Sequence, residues 1–212
     1  MIEVRKAVSD DALAVWNVAK DRSKKRRMQD GLSEGDLARE GFLLYPLEPD
    51  SPDQPNYRER IELSSHFWVA TNDDRVVGFY MAYTFEELGS FHHHNANDRK
   101  VLEYFKAWGC ELNCVYVAQF ARVRSSDGKG AMDRMSERCR AHAAESGAPA
   151  MICEISLKPP NEASITAALR NGFRRVATRI KDDPTTGLNR VSGTFMQTLS
   201  TIHSTQKPPS SE

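Results

Sequence analysis

The segment from residue 113 to residue 143 constrains the fold most, because it joins a strand pattern to a helix pattern through a turn with two glycines. Asn113 to Val123 is rich in β-branched and aromatic residues, which predicts a long strand. Downstream, apolar residues recur at helical spacing: Met132, Met135, Cys139 and Ala143. The turn Asp127-Gly128-Lys129-Gly130 would therefore lead into the start of a helix, where backbone amides are unpaired and the helix dipole is positive. Such an arrangement stabilises a bound phosphate. An ordinary glycine-containing turn has the same pattern, so this feature alone leaves both interpretations open.

The rest of the chain alternates between strand and helix patterns, as in an α/β domain. Strand patterns cover residues 2–7, 66–71, 75–83, 150–157 and 193–199, and helix patterns cover 12–18, 98–108 and 161–169. Asn72-Asp73-Asp74 separates two of the strands and suits the tight turn of a β-hairpin. Asn161 is placed to cap its helix and Asn171-Gly172 to end it.

Composition and charge exclude several classes of protein. With 29 basic and 29 acidic side chains, the chain has no net field to draw it onto nucleic acid or an anionic membrane. No apolar run approaches the ~18 residues of a membrane span, and no secretory leader pattern is present. The four cysteines form no CxxC pair, so we expect reduced thiols in a cytoplasmic protein, with Cys139 and Cys153 in the core. The length suits one domain, residues 1–200, followed by a disordered tail at 201–212.

Three polar segments each allow a plain and a functional interpretation. Six of the eight residues from Asp21 to Met28 are charged, which favours a solvated face over a cationic rim that attracts an acidic ligand. Four prolines between residues 43 and 56 exclude a regular helix and predict an irregular excursion that could border a substrate site. His92-His93-His94 lack helical i, i+4 spacing, and no acidic or Cys partner stands at ligand spacing, so no metal site is predicted.

Two motifs occur in the order and spacing of a known family. Residues 119–130, Gln-Phe-Ala-Arg-Val-Arg-Ser-Ser-Asp-Gly-Lys-Gly, resemble motif A of the N-acetyltransferases of the GNAT superfamily, whose strand ends in a turn of the form Arg/Gln-Gly-x-Gly. Asn161-Glu162-Ala163-Ser164, followed by Gly172-Phe173, is similar to the family's motif B, in which Asn begins a helix and Gly-Phe ends it. The resemblance is strong from Tyr116 to Val176 and depends on element order before that.

The resemblance implies an α/β fold: a single-domain, mixed and mostly antiparallel sheet, flanked by helices, whose fourth and fifth strands splay apart around the pantetheine arm of acetyl-CoA. Those strands are residues 113–123 and 150–157. The implied contacts to pantetheine and thioester are at Phe120, Ala121, Arg122 and Val123, and those to pyrophosphate at Asp127, Gly128, Lys129, Gly130, Ala131 and Met132. Asn161 and Ser164 would line the other side of the arm. Acetyl-CoA is implied as the acyl donor, with no metal.

Two positions depart from the family pattern. Asp127 stands where Arg or Gln is usual, and a carboxylate beside a pyrophosphate is unfavourable unless it turns away, for instance to cap the helix, or is offset by Lys129. Ala168 occupies the place where many members have the Tyr that can protonate the departing thiolate.

Candidates for the acid–base chemistry are few. They are Glu111, just before the fourth strand, Tyr116 within it, and Glu154 in the fifth strand. Each also has a plainer interpretation as a surface, structural or packing residue.

Together these features predict that the chain moves an acetyl group from acetyl-CoA directly to an amine of a small molecule or peptide, without an acyl-enzyme. The main alternative is a non-catalytic acyl-CoA-binding or sensing module, because Ala168 removes the usual acid. A binding domain without CoA would require both motifs to coincide by chance. The identity of the acceptor is not readable from the sequence, and a homodimer is left open.

Overall fold

The computed structural model describes residues 1–30, 43, 56–92, 96–158, 160–182 and 189–199. Side chains are described throughout these ranges except at 23–30, 96–97, 181–182 and 189–190. The side chains of the charged run beyond Arg22, the Pro-rich segment from 44 to 55, two of the three consecutive histidines and the tail at 201–212 therefore lie outside the described part.

The described elements form one mixed sheet with helices on both sides. In chain order they are β1 (Glu3–Lys6), α1 (Ala12–Asp30), α2 (Tyr57–Leu63), β2 (His66–Asn72), β3 (Arg75–Thr84), α3 (Phe85–Ser90), α4 (Ala96–Ala107), β4 (Val115–Arg122), α5 (Ala131–Glu145), β5 (Ala150–Lys158), α6 (Glu162–Arg170), β6 (Arg174–Asp182) and β7 (Asn189–Thr198). The strand order is β1-β2-β3-β4-β5-β7-β6, and β4 and β5 are the parallel pair in an otherwise antiparallel sheet. None of the helices in the described ranges is long and apolar enough to span a membrane. The predicted fold class is confirmed.

The turn between β2 and β3 explains why these strands form a hairpin. Asp73 and Asp74 both have positive φ, +49° and +60°. A type I′ turn requires this conformation of its two central residues, and its twist matches that of the flanking strands. The predicted hairpin is therefore confirmed, and it places β3 directly beside β4.

The strands β4 and β5 are neighbours only at one end. Their parallel ladder joins Val115–Val117 to Met151–Cys153 and then stops, whereas β4 remains paired with β3 and β5 with β7. A β-bulge in β4, where the register skips Ala118, coincides with the point of separation, and bulges bend a strand and increase its twist. The predicted splay is confirmed. We call the wedge between residues 118–122 of β4 and 154–158 of β5 the gap.

The helices divide the core into two clusters, one on each face of the sheet. On the first face, which we call the α1 face, Val15 and Phe105 represent α1 and α4. On the second, the α5 face, Met135 represents α5, and Cys139 and Cys153 are buried in the same cluster. Their burial confirms the expected core role of these two cysteines. All four cysteines are free thiols.

Candidate functional site

The turn that leads into α5 presents unpaired backbone amides. Gly130 is the N-cap of this 15-residue helix, and no side chain caps it. The backbone amide of Arg134 donates a hydrogen bond to the Gly130 carbonyl and closes the first helical turn. Within the described part of the chain, the amides of residues 130–133 donate to no protein oxygen. Four adjacent N–H groups and the positive end of the helix dipole thus lie together, which is the arrangement that stabilises a bound phosphate.

The two glycines of this turn are suited to their positions for different structural reasons. Gly128 is buried, and a Cβ there would lie 2.8 Å from the carbonyl oxygen of Val123, so packing of the turn excludes a side chain. Gly130 is exposed and has a φ of +82°, and a Cβ there would meet nothing within 4 Å. The space in front of Gly130 is therefore open, which is what close approach of an anionic ligand to the amides requires.

The carboxylate of Asp127 bonds to groups outside α5, and it does not cap this helix. The carboxylate accepts a hydrogen bond from Arg75 Nη2, at 2.5 Å, and one from Ser125 Oγ, at 3.3 Å. The suggestion of a cap was wrong because the backbone of Gly130 already takes the capping position. Arg75, at the start of β3, therefore offsets the carboxylate, and the exposed side chain of Lys129 adds a further cation beside the turn.

The edge of β4 that faces the gap carries alternate amides rather than a continuous row. The amide of Val123 donates to the carbonyl of Val77 in β3, at 2.8 Å. Because successive residues of a strand direct their amides to opposite edges, Ala121 also faces β3, whereas Phe120 and Arg122 face the gap. Of the four residues expected to contact the pantetheine arm, these two place their amides at the open edge.

Across the gap, α6 begins and ends as the sequence predicted. Asn161 Oδ1 accepts a hydrogen bond from the Ser164 amide at 3.2 Å, which caps the helix. Gly172, with a φ of +84°, ends it. Ala168 is buried in the cluster on the α5 face. A tyrosine at this position would need room that the present packing fills.

The three acid–base candidates do not form one group. Glu111 is exposed, and its carbonyl accepts from the Cys114 amide. It precedes the β4–β5 ladder, which separates it along the strand from the gap. Tyr116 lies within the ladder and Glu154 is the first residue of β5 beyond it.

Tyr116 and Glu154 lie close together on the α1 face. The Tyr116 ring lies among those of Tyr83, Phe85 and Phe105, with centroid separations of 5.9, 6.2 and 6.0 Å. Burial raises the pKa of Tyr116 well above its usual value, and the neighbouring Glu154 carboxylate raises it further. The side chain of Glu154 is itself only 5% exposed. The structure therefore brings these two candidates together and leaves Glu111 apart.

Further polar groups on this face were not predicted from the sequence. The hydroxyl of Tyr57 in α2 donates to Gln119 Oε1 at 3.0 Å, and Gln119 lies on the part of β4 that borders the gap. Arg179 of β6 approaches Glu154 and contacts the ring of Tyr104 in α4. Each contact joins residues far apart in the chain, and no local spacing signals it.

No metal centre is found in the described part of the chain. Among the described residues, no group of three or more His, Cys, Asp and Glu side chains is placed to hold an ion. Of the three consecutive histidines, only His92 is described.

Comparison with known proteins agrees with this geometry. A family profile described as Acetyltransferase (GNAT) family matches residues 36–173. Comparison of the sequence with curated proteins finds no match.

Solved structures of acetyltransferases share the fold at low sequence identity. An N-acetyltransferase from Staphylococcus aureus Mu50 superposes with a TM-score of 0.57 at 14% identity, over 94% of this chain and 99% of that one. The polyamine N-acetyltransferase of Drosophila melanogaster, which forms N-acetylagmatine, gives 0.59 at 14% identity, over 94% and 100%. The yncA protein of Salmonella typhimurium, solved with its cofactor acetyl-CoA, gives 0.53 at 13% identity, over 98% of each chain.

Proposed function

This chain belongs to the GNAT acetyltransferase family, and we propose that it transfers the acetyl group of acetyl-CoA directly to the amine of a small molecule or a peptide. One observation carries the proposal. The open edge of β4 leads straight into a turn whose amides have no protein acceptor in the described part of the chain. An extended arm that ends in phosphates fits this path, because the arm can pair with the open strand edge and the phosphates can bind the amides of the turn.

The residues of this path fit acetyl-CoA. The amides of Phe120 and Arg122 would pair with the pantetheine arm in the manner of an added strand. The amides from Gly130 onward would hold the pyrophosphate, with the exposed cation of Lys129 beside them. Asn161 and Ser164, at the start of α6, would lie on the opposite side of the arm.

Bound acetyl-CoA supplies the acetyl group as a thioester: a bond forms between the amine nitrogen and the acetyl carbon, the carbon–sulfur bond breaks, and coenzyme A leaves as a thiol. Glu154 would accept the proton that the amine loses. The gap-facing amides of β4 would stabilise negative charge that develops on the carbonyl oxygen. The elements that border the gap would fix the relative orientation of the two substrates.

Tyr116 is a poor acid for the departing thiolate. Its pKa is raised well above that of an ordinary tyrosine, so giving up the proton is more costly than usual. We infer that Tyr116 donates a hydrogen bond near the thioester. The proton of the thiol would then come from water or from the ammonium group of the acceptor.

A sensing module is the second candidate, and Ala168 is the observation that favours it. With a methyl group in the place of the usual hydroxyl, the chain would bind the acyl donor and lack one catalytic group. Binding and turnover must therefore be tested separately.

The binding test uses heat stability with and without acetyl-CoA. A ligand that binds only the folded state at a hundredfold excess over Kd adds about 2.7 kcal/mol, or roughly 5–10 °C in Tm for a chain of this size. Gly130→Val should abolish this shift, because the branched side chain fills the open space before the amides. Gly147→Val is the matched control: Gly147 also has positive φ and open space, but it follows the other end of α5.

The turnover test measures thiol release with a panel of amines. We expect wild type to release coenzyme A with at least one amine, and Glu154→Gln to lower that rate by about 10²- to 10⁴-fold, the range for loss of general acid–base catalysis. Absence of a Tm shift at millimolar acetyl-CoA would refute the proposed function. A normal shift without transfer to any amine would favour the sensing module instead.

A further inference from the structure

Glu154 is almost fully enclosed although it lies at the mouth of the gap. It directly follows the β4–β5 ladder, and its side chain is 5% exposed. An enclosed carboxylate is strongly destabilised unless a compensating charge is near. Nη1 of Arg179 lies 3.7 Å from Glu154 Oε1 and supplies that charge.

Arg179 reaches this carboxylate from the edge of the sheet. It belongs to β6, which pairs with β7, so its side chain extends past β7 toward β5. The guanidinium carbon lies 4.4 Å from the ring centre of Tyr104 in α4, a contact that suits a planar cation. Arg179 is 19% exposed, whereas Arg174 and Arg175 on the same strand are exposed. The helix and the sheet therefore hold this one arginine of β6 between them.

Other titratable groups lie near the carboxylate. Tyr116 approaches it from β4, and the pKa of Tyr116 is raised by burial and then by Glu154. The side chain of Cys153, the preceding residue of β5, lies on the opposite, α5 face, where burial, with a further contribution from Glu154, raises the pKa of the thiol to about 12. Both groups remain neutral near pH 7. Arg179 is a cation beside the carboxylate on this face.

We propose that Arg179 is a positioning residue for the acetyl transfer, which fixes the Glu154 carboxylate at the mouth of the gap. This inference rests on the proposed function, in which Glu154 takes the proton of the amine. At 3.7 Å the charges attract one another although these two atoms are too far apart for a hydrogen bond. Without the guanidinium, the carboxylate loses a contact that fixes its position. A general base must lie within hydrogen-bond reach of the proton that it accepts, so a misplaced carboxylate slows the transfer.

The first test measures kcat and KM for the full chain. Arg179→Gln should lower kcat by about 10- to 100-fold at pH 7 and leave KM for acetyl-CoA within about threefold, because it misplaces the base and leaves the donor site intact. Arg179→Lys should recover only part of the rate, because it keeps the positive charge and loses the planar group that lies on Tyr104. Arg175→Gln, an exposed position on the same strand, is the matched control and should behave as wild type. The Kd for acetyl-CoA should stay within about threefold in all variants, since screened charges contribute little to distant contacts.

A milder variant covers the case in which Arg179→Gln fails to fold. Tyr104→Leu removes the ring against which the guanidinium lies and leaves the charge in place. It should lower kcat by a smaller factor than Arg179→Gln does. An unchanged kcat in every folded variant would overturn the proposal.

The second measurement needs no turnover. Urea unfolding of wild type, Arg179→Gln, Glu154→Gln and the double variant measures the coupling between the two side chains. We expect the effects of the two substitutions on the free energy of unfolding to be non-additive. Additive effects would overturn the inference even if acetyl transfer occurs. Coupled effects in a protein that binds acetyl-CoA but acetylates no amine would instead refute the proposed function.

Discussion

His66 should make the protein lose stability in mild acid, and the loss can be worked out from its surroundings. This residue of β2 is 1% exposed, and its Nδ1 lies 3.1 Å from Nδ1 of His142 in α5. Burial lowers the pKa of His66 to about 4; the negative charge of Glu87 opposes this effect, and the charges of His142 and Lys6 add to it. At pH 6.5 the imidazole is therefore neutral in the folded protein, whereas it is half protonated in the unfolded chain.

The direction and size of the effect follow from linkage. The pKa in the folded state is about 4 and that in the unfolded state about 6.5, so the unfolded chain binds the proton first as pH falls. The stability is fully present above pH 6.5 and is lost as pH falls toward 4. This fall in pKa from 6.5 to about 4 corresponds to about 3 kcal/mol in total, of which about 2 kcal/mol is lost between pH 7 and pH 5.

The assay is urea unfolding at pH 7 and pH 5 for wild type and His66→Phe. The phenyl ring keeps the planar shape and removes the titrating group, so the difference between the two pH values should shrink by about 2 kcal/mol even if the variant is less stable at both. His142 retains a smaller dependence of the same sign, because burial also lowers its pKa. Equal losses in wild type and His66→Phe would refute the reasoning.

Two further predictions concern binding and turnover. Neutralising Lys24, Lys25, Arg26 and Arg27 together should change the Kd for acetyl-CoA by less than about threefold, because screened surface charges contribute little each; calorimetry checks this, and a loss beyond tenfold would place the run over the nucleotide phosphates. Ala168→Tyr should raise the rate of thiol release if the cluster admits the ring, although overpacking would cost about 1–3 kcal/mol of stability; an unchanged rate with intact binding would show that the proton is supplied adequately from elsewhere.

The fold, and the part of the site proposed to bind acetyl-CoA, were predicted from local sequence signals. Asn161 and Gly172 delimit α6 by their own backbone and side-chain chemistry, and Gly130 begins α5 in the same way. The alternation of amides in β4 was missed because it depends on the register with β3, which a bulge interrupts. The pair formed by Glu154 and Arg179 was missed because it bridges two strands that are not neighbours in the sheet.

Three carboxylates, those of Asp98, Asp127 and Glu154, each lie beside an arginine from another element. Arg75 offsets Asp127 beside the turn, where both groups are partly exposed and the pair adds little stability. Arg60 lies 2.8 Å from the enclosed carboxylate of Asp98, as Arg179 lies near Glu154.

The two enclosed arginines share a second contact that a lysine would not reproduce. The guanidinium of Arg60 lies 3.8 Å from the ring centre of Phe91, and that of Arg179 lies 4.4 Å from the ring centre of Tyr104. A planar cation can stack on a ring and face a carboxylate with its edge at the same time, whereas an ammonium group offers only a point charge. The ring therefore fixes where the cation lies, and the cation fixes where the carboxylate lies. On this argument the orientation of Glu154 at the mouth of the gap is set by α4 and β6 as much as by its own strand.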